Sequence, residues 1–313
     1  MSLNFKTPRS LLEAYNSGFV GAYCDKEELA ELISGLKHPL FSVAAHNLYG
    51  TGEGKLSLPF KALLKLDPGF GPAEKQETGD CVSHATRNAV DVSRAVEIVI
   101  HGEAETFKAR GATEGIYGFR GHRGQGMTCS GAAKFVSDAG GILIRQKYDF
   151  ADLSSYNVNV GMNWGGRGVP EEVRKEAAKH QVKTVSMVHT VEGARDAIAN
   201  GYAISVCSNQ GFSSRRDKDG IAKAQGSWNH AMAWIACDDT RERYDETLFL
   251  IQNSWGRFNN GPKVHDQPDG SFWIRQSVAE SMLRQDGSFV FSNIDGFEPR
   301  DIDWDKTGLL RVF

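Results

Sequence analysis

The stretch Leu248-Phe-Leu-Ile-Gln-Asn253-Ser-Trp-Gly256 decides the fold. An apolar strand ends at Asn253, and Gly256 marks the turn after it. The Asn253 amide oxygen could accept a hydrogen bond from a histidine and so fix the tautomer of its ring. His230 is the candidate, because it begins a second apolar strand in Gly226-Ser-Trp-Asn-His230-Ala-Met-Ala-Trp234. Taken alone, a histidine that enters a buried strand is more often a packed core residue.

Cys81 follows Gly79-Asp80 and opens the clearest helix of the chain. Apolar residues recur there at spacings of three and four, and Gly102 is predicted to end the helix. A thiol at a helix N-terminus lies at the positive end of the helix dipole, which stabilises its thiolate. Gln76, on the preceding loop, could donate to an oxyanion together with the Cys81 backbone N–H. Taken alone, a buried cysteine and a loop glutamine are ordinary structural residues.

The order Gln76, Cys81, His230 and Asn253, with Ser-Trp-Gly after the asparagine, resembles the papain family of cysteine peptidases. Weaker segments align with that family in the same order: Gly131–Ile142, Tyr148–Phe150, Ala199–Val206 and Asp269–Ile274. The resemblance covers roughly residues 60 to 295. It implies an α+β fold of two lobes, a helical lobe followed by an antiparallel β-barrel-like lobe, with a cleft between them.

The resemblance also implies the reaction, the cleavage of peptide bonds through an acyl-enzyme without metal or cofactor. Cys81 would be the nucleophile, and His230 would hold it as a thiolate–imidazolium pair and later protonate the leaving amine. Asn253 would orient His230. Gln76 and the Cys81 backbone N–H would form the oxyanion hole.

Three further residues take substrate-binding roles by the same resemblance. Gly124 and Gly126 lie in the Gly-rich segment 121–126, where a missing side chain lets a peptide backbone approach closely. Trp255 would shield the Asn253–His230 hydrogen bond from water and lie beside the substrate.

The sequence departs from the family pattern at the nucleophile. Val82 stands where the family has tryptophan, and the spacing from Gln76 to Cys81 is one residue shorter than usual. A shift of one residue moves an amide by more than about 3 Å, which puts the oxyanion role of Gln76 in question. His84, one turn after Cys81, is interpreted as a packing residue rather than a second base.

Two alternative functions follow from these departures. One is a catalytically weak or inactive papain-like module with a structural role in a larger assembly such as a phage particle. The other is a Cys/His amidase, for instance a cell-wall peptide hydrolase. Geometry discriminates an enzyme from a structural module, because an enzyme needs Cys81 and His230 near contact under an open groove. A structural module could bury Cys81 under the N-terminal segment.

Composition excludes several other classes of protein. The chain has 313 residues, with 36 basic and 39 acidic side chains, and its net charge of -3 argues against nucleic acid or a membrane as partner. The apolar runs are far shorter than the ~20 residues that span a bilayer, and the N-terminus lacks a signal-peptide pattern. Five cysteines, widely spaced and without CxxC, argue against a zinc knuckle or a disulfide framework. We therefore expect an intracellular protein, cytoplasmic or virion-associated.

The predicted organisation has three parts. Residues 1–60 form an N-terminal helical extension, residues 61–300 the catalytic domain, and residues 301–313 a tail. Within the domain, the helical lobe lies at about 76–150 and the β lobe at about 181–295. The extension could inhibit the site, dock onto other structural proteins or cap the fold.

Local patterns predict individual elements. The capping pattern Asp25–Glu28 predicts a helix that ends at Gly35, and the polar stretch 151–169 predicts a long loop. Further helices are predicted at 131–139, 170–180 and 190–200, and strands at Ala203–Cys207, Ala231–Cys237, Leu248–Asn253, Ser271–Ile274 and Ser288–Phe291.

Overall fold

The computed structural model describes residues 21–70, 74–100, 107–285 and 287–304. Within these ranges the helices are α1 (Lys26–Gly35), α2 (Phe41–Ala44), α3 (Phe60–Leu66), α4 (Cys81–Ile100), α5 (Thr113–Gly118), α6 (Cys129–Ala139), α7 (Val158–Arg167), α8 (Glu171–Ala177), α9 (Val191–Ala199) and α10 (Gln276–Leu283). The strands are β1 (Ala22–Tyr23), β2 (Leu56–Ser57), β3 (Met127–Thr128), β4 (Lys147–Tyr148), β5 (Ala151–Asp152), β6 (Thr184–Met187), β7 (Ile204–Arg216), β8 (Ala222–Asp238), β9 (Leu248–Gln252), β10 (Ser271–Arg275) and β11 (Ser288–Ser292).

The C-terminal half is built on an antiparallel sheet in the order β10-β9-β8-β7-β11-β6, to which β2 adds by pairing with β8. Ala233 on β8 pairs with Gln252 on β9. Asn253 directly follows β9, so this register brings it beside the part of β8 that contains His230. The sheet thus brings together two residues that the sequence separates by more than twenty positions.

The central helix of the N-terminal half is α4, which is buried from Cys81 to Glu97. One side of it packs against the sheet through β7, β8 and β11, and the other contacts α3, α5 and α6. Its apolar spacing in the sequence predicted the helix correctly. The helix starts at Cys81 because the Asp80 carbonyl accepts the backbone N–H groups of Ser83 and His84, at 3.0 and 3.2 Å. The predicted end at Gly102 lies outside the described residues.

Helix caps predicted from the sequence are confirmed at α1 and α6. The Asp25 side chain accepts hydrogen bonds from the N–H groups of Glu27 and Glu28, both at 3.0 Å, and α1 ends at Gly35. At α6, the Thr128 hydroxyl caps the first turn, and Gly140 ends the helix with a φ of 65°. A left-handed residue at this position favours glycine.

The prediction of a long loop at 151–169 is wrong, because α7 occupies its second half. The Asn157 side chain caps this helix by accepting the N–H of Val160. The glycines that suggested a loop permit close packing. A Cβ at Gly161 would lie 3.2 Å from the Tyr117 ring, and one at Gly165 would lie 2.1 Å from the Arg120 guanidinium.

The five predicted strands are all present, and two of them are longer than the patterns indicated. β7 extends to Arg216 and β8 begins at Ala222, and the pairing between them shifts register between Ser208 and Arg216. Each register shift interrupts the alternation of inward and outward side chains on which strand prediction depends. The helix predicted at 170–180 is shorter, at Glu171–Ala177, and β6 was not predicted.

Cys129 and Cys207 form a disulfide with a Cα–Cα distance of 6.2 Å. The cysteine spacing argued against a disulfide framework, and it did not predict this one bond. The two residues lie 78 positions apart, and only the packing of α6 against β7 brings them together. The bond links the helical half to the sheet, and cysteine usage therefore does not support the expected intracellular location. Among the described helices, none is long and apolar enough to cross a membrane.

Gly141 packs closely against neighbouring backbone in the turn after α6. A Cβ at this position would lie 2.2 Å from the His180 carbonyl oxygen and 2.3 Å from that of Ala177. We expect Gly141→Ala to lower the free energy of unfolding by about 1–3 kcal/mol, measured by urea denaturation, because neither backbone oxygen can move freely. Gly35→Ala is the control, since no atom lies within 4 Å of a Cβ there. Equal effects of both substitutions would contradict this packing argument.

Candidate active site

Cys81 and His230 lie where the N-terminus of α4 meets β8, and both side chains are 0% exposed. The backbone N–H of Ala231 makes a contact with the Cys81 thiol that lowers its pKa, as do the N–H groups of Val82 and of Cys81 itself. Because Ala231 directly follows His230, this contact places the sulfur near the backbone of β8 next to the histidine. The N–H groups that surround the sulfur are donors that would stabilise a thiolate.

A chain of hydrogen bonds behind His230 fixes its tautomer. The Ser213 carbonyl accepts from Asn259 Nδ2 at 2.9 Å, and Asn259 Oδ1 accepts from Asn253 Nδ2 at 2.8 Å. Asn253 Oδ1 is then left to accept from His230 Nε2, at 2.8 Å. A carbonyl oxygen can only accept, so the chain has one direction and assigns the proton to Nε2. The other ring nitrogen, Nδ1, therefore presents a lone pair in a neutral imidazole.

Nδ1 of His230 is buried and has no hydrogen-bond partner among the described residues. A buried nitrogen with an unused lone pair is costly in a core and typical of a site that accepts a proton.

Asn259 was not identified from the sequence. It is 0% exposed and bonds to Asn253 on one side and to Ser213 on the other. In the sequence it belongs to Asn259-Asn260-Gly261, a pattern that indicates a turn and gives no sign of contact with the site.

Trp255 covers the Asn253–His230 hydrogen bond. Its ring stacks on His230 with a centroid distance of 4.6 Å and an interplanar angle of 29°. The side chain is 1% exposed, so in this conformation the ring is closed to a substrate. A substrate contact through Trp255 stays a prediction.

Gln76, on the loop before Cys81, is hydrogen-bonded to the loop that follows β9. Its Oε1 accepts from Ser254 Oγ at 2.5 Å and from Trp255 Nε1 at 3.0 Å, and its Nε2 donates to the Thr78 carbonyl at 2.8 Å. Its backbone N–H donates to the Ser254 carbonyl at 3.0 Å. The glutamine therefore joins the loop before Cys81 to the sheet. An amide nitrogen carries two hydrogens, and only one of them is needed for the Thr78 bond.

The predicted substrate glycines lie at different places. The Gly126 N–H donates to the Gly79 carbonyl at 3.1 Å, which puts it beside the nucleophile loop. Gly124 lies further out, and its carbonyl accepts from Arg120 Nε at 2.9 Å. A peptide contact at either glycine stays a prediction.

A buried ionic cluster lies behind the nucleophile loop. Asp80 Oδ2 accepts from the Tyr156 hydroxyl at 2.7 Å and lies 3.4 Å from His84 Nε2. Glu74 pairs with Arg87 at 2.7 Å and with Arg145 at 3.0 Å. His84 thus packs inside this cluster. Within the described ranges, no group of His, Cys, Asp and Glu side chains is arranged to hold a metal ion.

Residues 21–24, the cleft segment, lie against the loop that leads into Cys81. A Cβ at Gly21 would lie 2.3 Å from the Gly79 carbonyl oxygen, and the Gly21 carbonyl accepts from the Met127 N–H at 2.7 Å. The following residues share a cavity with Asn229, the neighbour of His230. The segment therefore lies between Gly79, two residues before Cys81, and a cavity that Asn229 also lines.

Burial shifts the pKa of each member of the pair toward its neutral form. Desolvation raises the pKa of the Cys81 thiol far above its usual range; the Ala231 N–H opposes this rise and the Asp80 charge adds to it. Desolvation also lowers the pKa of His230 to about 4, against the opposing Asn253 hydrogen bond and with a further lowering from His84. Both shifts favour a thiol and a neutral imidazole over the expected thiolate–imidazolium pair in this conformation.

No model of a known protein family matches the sequence, and no curated protein matches it. Solved structures do match. Procathepsin B S9 from Trypanosoma congolense is 9% identical over 91% of this chain and 90% of its own, with a TM-score of 0.52. Xylellain, a cysteine protease from Xylella fastidiosa, is 14% identical over 88% and 91%, with a TM-score of 0.47. Digestive procathepsin L 3 of Tenebrio molitor is 11% identical over 85% and 78%, with a TM-score of 0.48.

The likeness to procathepsin B extends over nearly the whole of both chains and shows a shared fold. The chain therefore has the papain-like, two-lobed α+β fold that its sequence predicted. Identity this low carries no information about activity, so the function is argued from the site itself.

Proposed function

We propose that this protein is a papain-type cysteine peptidase that is latent in the conformation described. The observation that supports the activity is the hydrogen-bond chain that leaves Nδ1 of His230 unprotonated in the neighbourhood of Cys81. A general base needs such a lone pair next to the nucleophile, with the ring fixed from behind.

The reaction begins when the Cys81 S–H proton moves to His230 Nδ1. The thiolate attacks the carbonyl carbon of a peptide bond, and the electron pair of the C=O bond becomes an oxyanion. The Cys81 backbone N–H and the second Nε2 hydrogen of Gln76 stabilise this oxyanion. When the C–N bond breaks, His230 gives its proton to the leaving amine. Water, deprotonated by the same nitrogen, then hydrolyses the thioester and regenerates the thiol.

Latency follows from the position of the cleft segment. While Gly21 to Cys24 cover the pair, desolvation holds the pKa of Cys81 high and that of His230 low. Displacing the segment admits water and substrate, which moves both pKa values toward their usual ranges and favours the ion pair. Activity therefore depends on opening of this segment.

Gly21→Ala tests both parts of the proposal. The new Cβ would collide with the Gly79 carbonyl, and the φ of 104° at Gly21 disfavours any side chain. A cost of about 1.4–3 kcal/mol would raise the open population about ten- to a hundredfold. We expect iodoacetamide to alkylate Cys81 faster by that factor at about pH 5.5, where an ordinary thiol hardly reacts. Peptide mass spectrometry measures the rate for each cysteine.

Two further variants separate the possible causes. Gly54→Ala also places a side chain at a positive φ, of 65°, but no atom lies within 4 Å of a Cβ there. It should leave the rate unchanged. Adding His230→Ala to Gly21→Ala should remove the gain, because an exposed thiol without its base stays protonated. If Cys81 is still alkylated faster when both substitutions are present, His230 does not activate Cys81 and the catalytic pair is contradicted. Only the proposal that the segment restricts access to Cys81 would then remain.

The chemistry calls for a peptide or protein substrate. Docking of other structural proteins through residues 1–60 and a cytoplasmic or virion-associated location stay predictions, and residues 1–20 lie outside the described residues.

A further inference from the structure

Three cysteines line one cavity beside the cleft. The cavity has a volume of about 150 Å³ and is bordered by Cys24 of the cleft segment and by the Cys129–Cys207 disulfide. Cys24 is an exposed thiol, Cys129 is the first residue of α6, and Cys207 lies on β7. The cavity thus joins a thiol to a disulfide that links the two halves of the fold.

Strand pairing places Cys24 next to Cys129. β1 and β3 pair in parallel, with Ala22 opposite Met127 and Tyr23 opposite Thr128. Cys24 and Cys129 directly follow the last paired residues of the two strands and line the same cavity, and paired strands lie ~4.8 Å apart. Disulfides form between Cα atoms about 4.4–6.8 Å apart, so this spacing is suitable for a bond.

A side-chain contact holds the two helix starts together. Glu28, in the first turn of α1, accepts a hydrogen bond of 2.6 Å from the Thr128 hydroxyl, which also caps α6. Cys24 directly precedes the Asp25 cap of α1, and Cys129 directly follows Thr128. The register is therefore supported on both sides of the two cysteines.

We propose that Cys24 undergoes thiol–disulfide exchange with the Cys129–Cys207 bond. The Cys24 thiolate forms a bond to Cys129 Sγ, the Cys129–Cys207 bond breaks, and its electron pair leaves on Cys207. The Cys207 thiolate then takes up a proton equivalent to the one that Cys24 released. The exchange conserves one disulfide and one thiol, so it needs no oxidant or reductant.

The exchange changes what the disulfide connects. The Cys129–Cys207 bond ties α6 to the sheet, whereas a Cys24–Cys129 bond would tie the cleft segment to α6 beside the covered Cys81. The first bond leaves the segment movable, and the second fastens it. This site goes beyond the proposed peptidase activity and does not depend on it.

The test measures which cysteines of the full chain are disulfide-bonded, in protein that is isolated without reductant. The chain carries Cys81→Ala, so that the result is independent of hydrolysis. The protein is incubated at about pH 8.5, alkylated with N-ethylmaleimide in acid, and digested without reduction. We expect a Cys24–Cys129 crosslinked peptide and an alkylated Cys207. The rate should fall about fiftyfold at about pH 6.5, because the thiolate fraction falls by that factor. It should not depend on protein concentration.

Two variants decide the outcome. Cys24→Ser should retain only the Cys129–Cys207 peptide. Cys207→Ser, treated with oxidised glutathione, should form the Cys24–Cys129 bond directly. The proposal is overturned if Cys24 stays fully alkylated at about pH 8.5, if Cys24 links to Cys207 instead, or if Cys207→Ser gives no crosslink. Cys237 is the internal control, since burial raises its pKa well above the usual range and it should not exchange.

Discussion

Cys81→Ala is expected to lower kcat/KM for peptide hydrolysis by at least about 10⁴-fold, because it removes the atom that forms the acyl-enzyme. His230, Asn253 and the oxyanion donors cannot compensate, since they act on a bond that the sulfur must first attack. Hydrolysis is measured with a fluorescently labelled unfolded protein, in the Gly21→Ala chain so that the cleft segment does not limit the rate. The same loss should appear when iodoacetamide has labelled Cys81 in the unsubstituted site.

Cys237→Ala is the matched control. Cys237 is as deeply buried as Cys81, with 1% exposure, and it lies on β8 away from the hydrogen-bond chain. The same truncation there should leave kcat/KM within about twofold, whatever it costs in stability. If both chains hydrolyse equally, Cys81 is not the nucleophile. Hydrolysis absent even from the Gly21→Ala chain would favour the structural module instead.

The elements that the sequence predicted correctly have local signals. The apolar spacing along α4, the Asp25 cap of α1 and the Gly140 end of α6 each depend on neighbours within a few residues. The helix at residues 158–167 was not predicted, because its glycines were interpreted as signs of a loop. In the structure they allow close packing against Tyr117 and Arg120, and the sequence does not distinguish these two uses of glycine. Their role is fixed by tertiary structure.

The candidate site was proposed from the order of its residues in the sequence, and the residues that support it in the structure were not identified. Cys81, His230 and Asn253 stand beside recognisable elements, whereas Asn259 contacts the site only because the loop after β9 folds back on β7. The pairing of β1 with β3 involves two residues on each strand. So short a ladder has no periodicity to detect, and the position of residues 21–24 beside the loop before Cys81 could not be predicted from their sequence.

Gln76→Met tests the oxyanion role, which the shortened spacing to Cys81 put in question. Methionine has a similar length but no N–H and no charge, so it removes the donor with little change in volume. Loss of one oxyanion donor is expected to lower kcat by about 10²–10³-fold. Alkylation of Cys81 forms no oxyanion, so its rate should change by no more than about twofold. The two rates are measured in the same Gly21→Ala chain.

An oxyanion donor is identified when its loss slows hydrolysis but leaves the alkylation of Cys81 unchanged. Gln76 also accepts from Ser254 and Trp255, and methionine cannot replace those bonds. If the glutamine mattered only by holding Trp255 against His230, its loss would disturb the base and slow alkylation and hydrolysis together. Glu77→Gln, on the exposed neighbour, should leave both rates unchanged. If Gln76→Met and Glu77→Gln have the same kcat, the Cys81 backbone N–H stabilises the oxyanion without a contribution from Gln76. In that case the shorter spacing between Gln76 and Cys81 keeps the Gln76 amide too far from the oxyanion to donate to it. The role of Gln76 is then limited to its hydrogen bonds with Ser254 and Trp255.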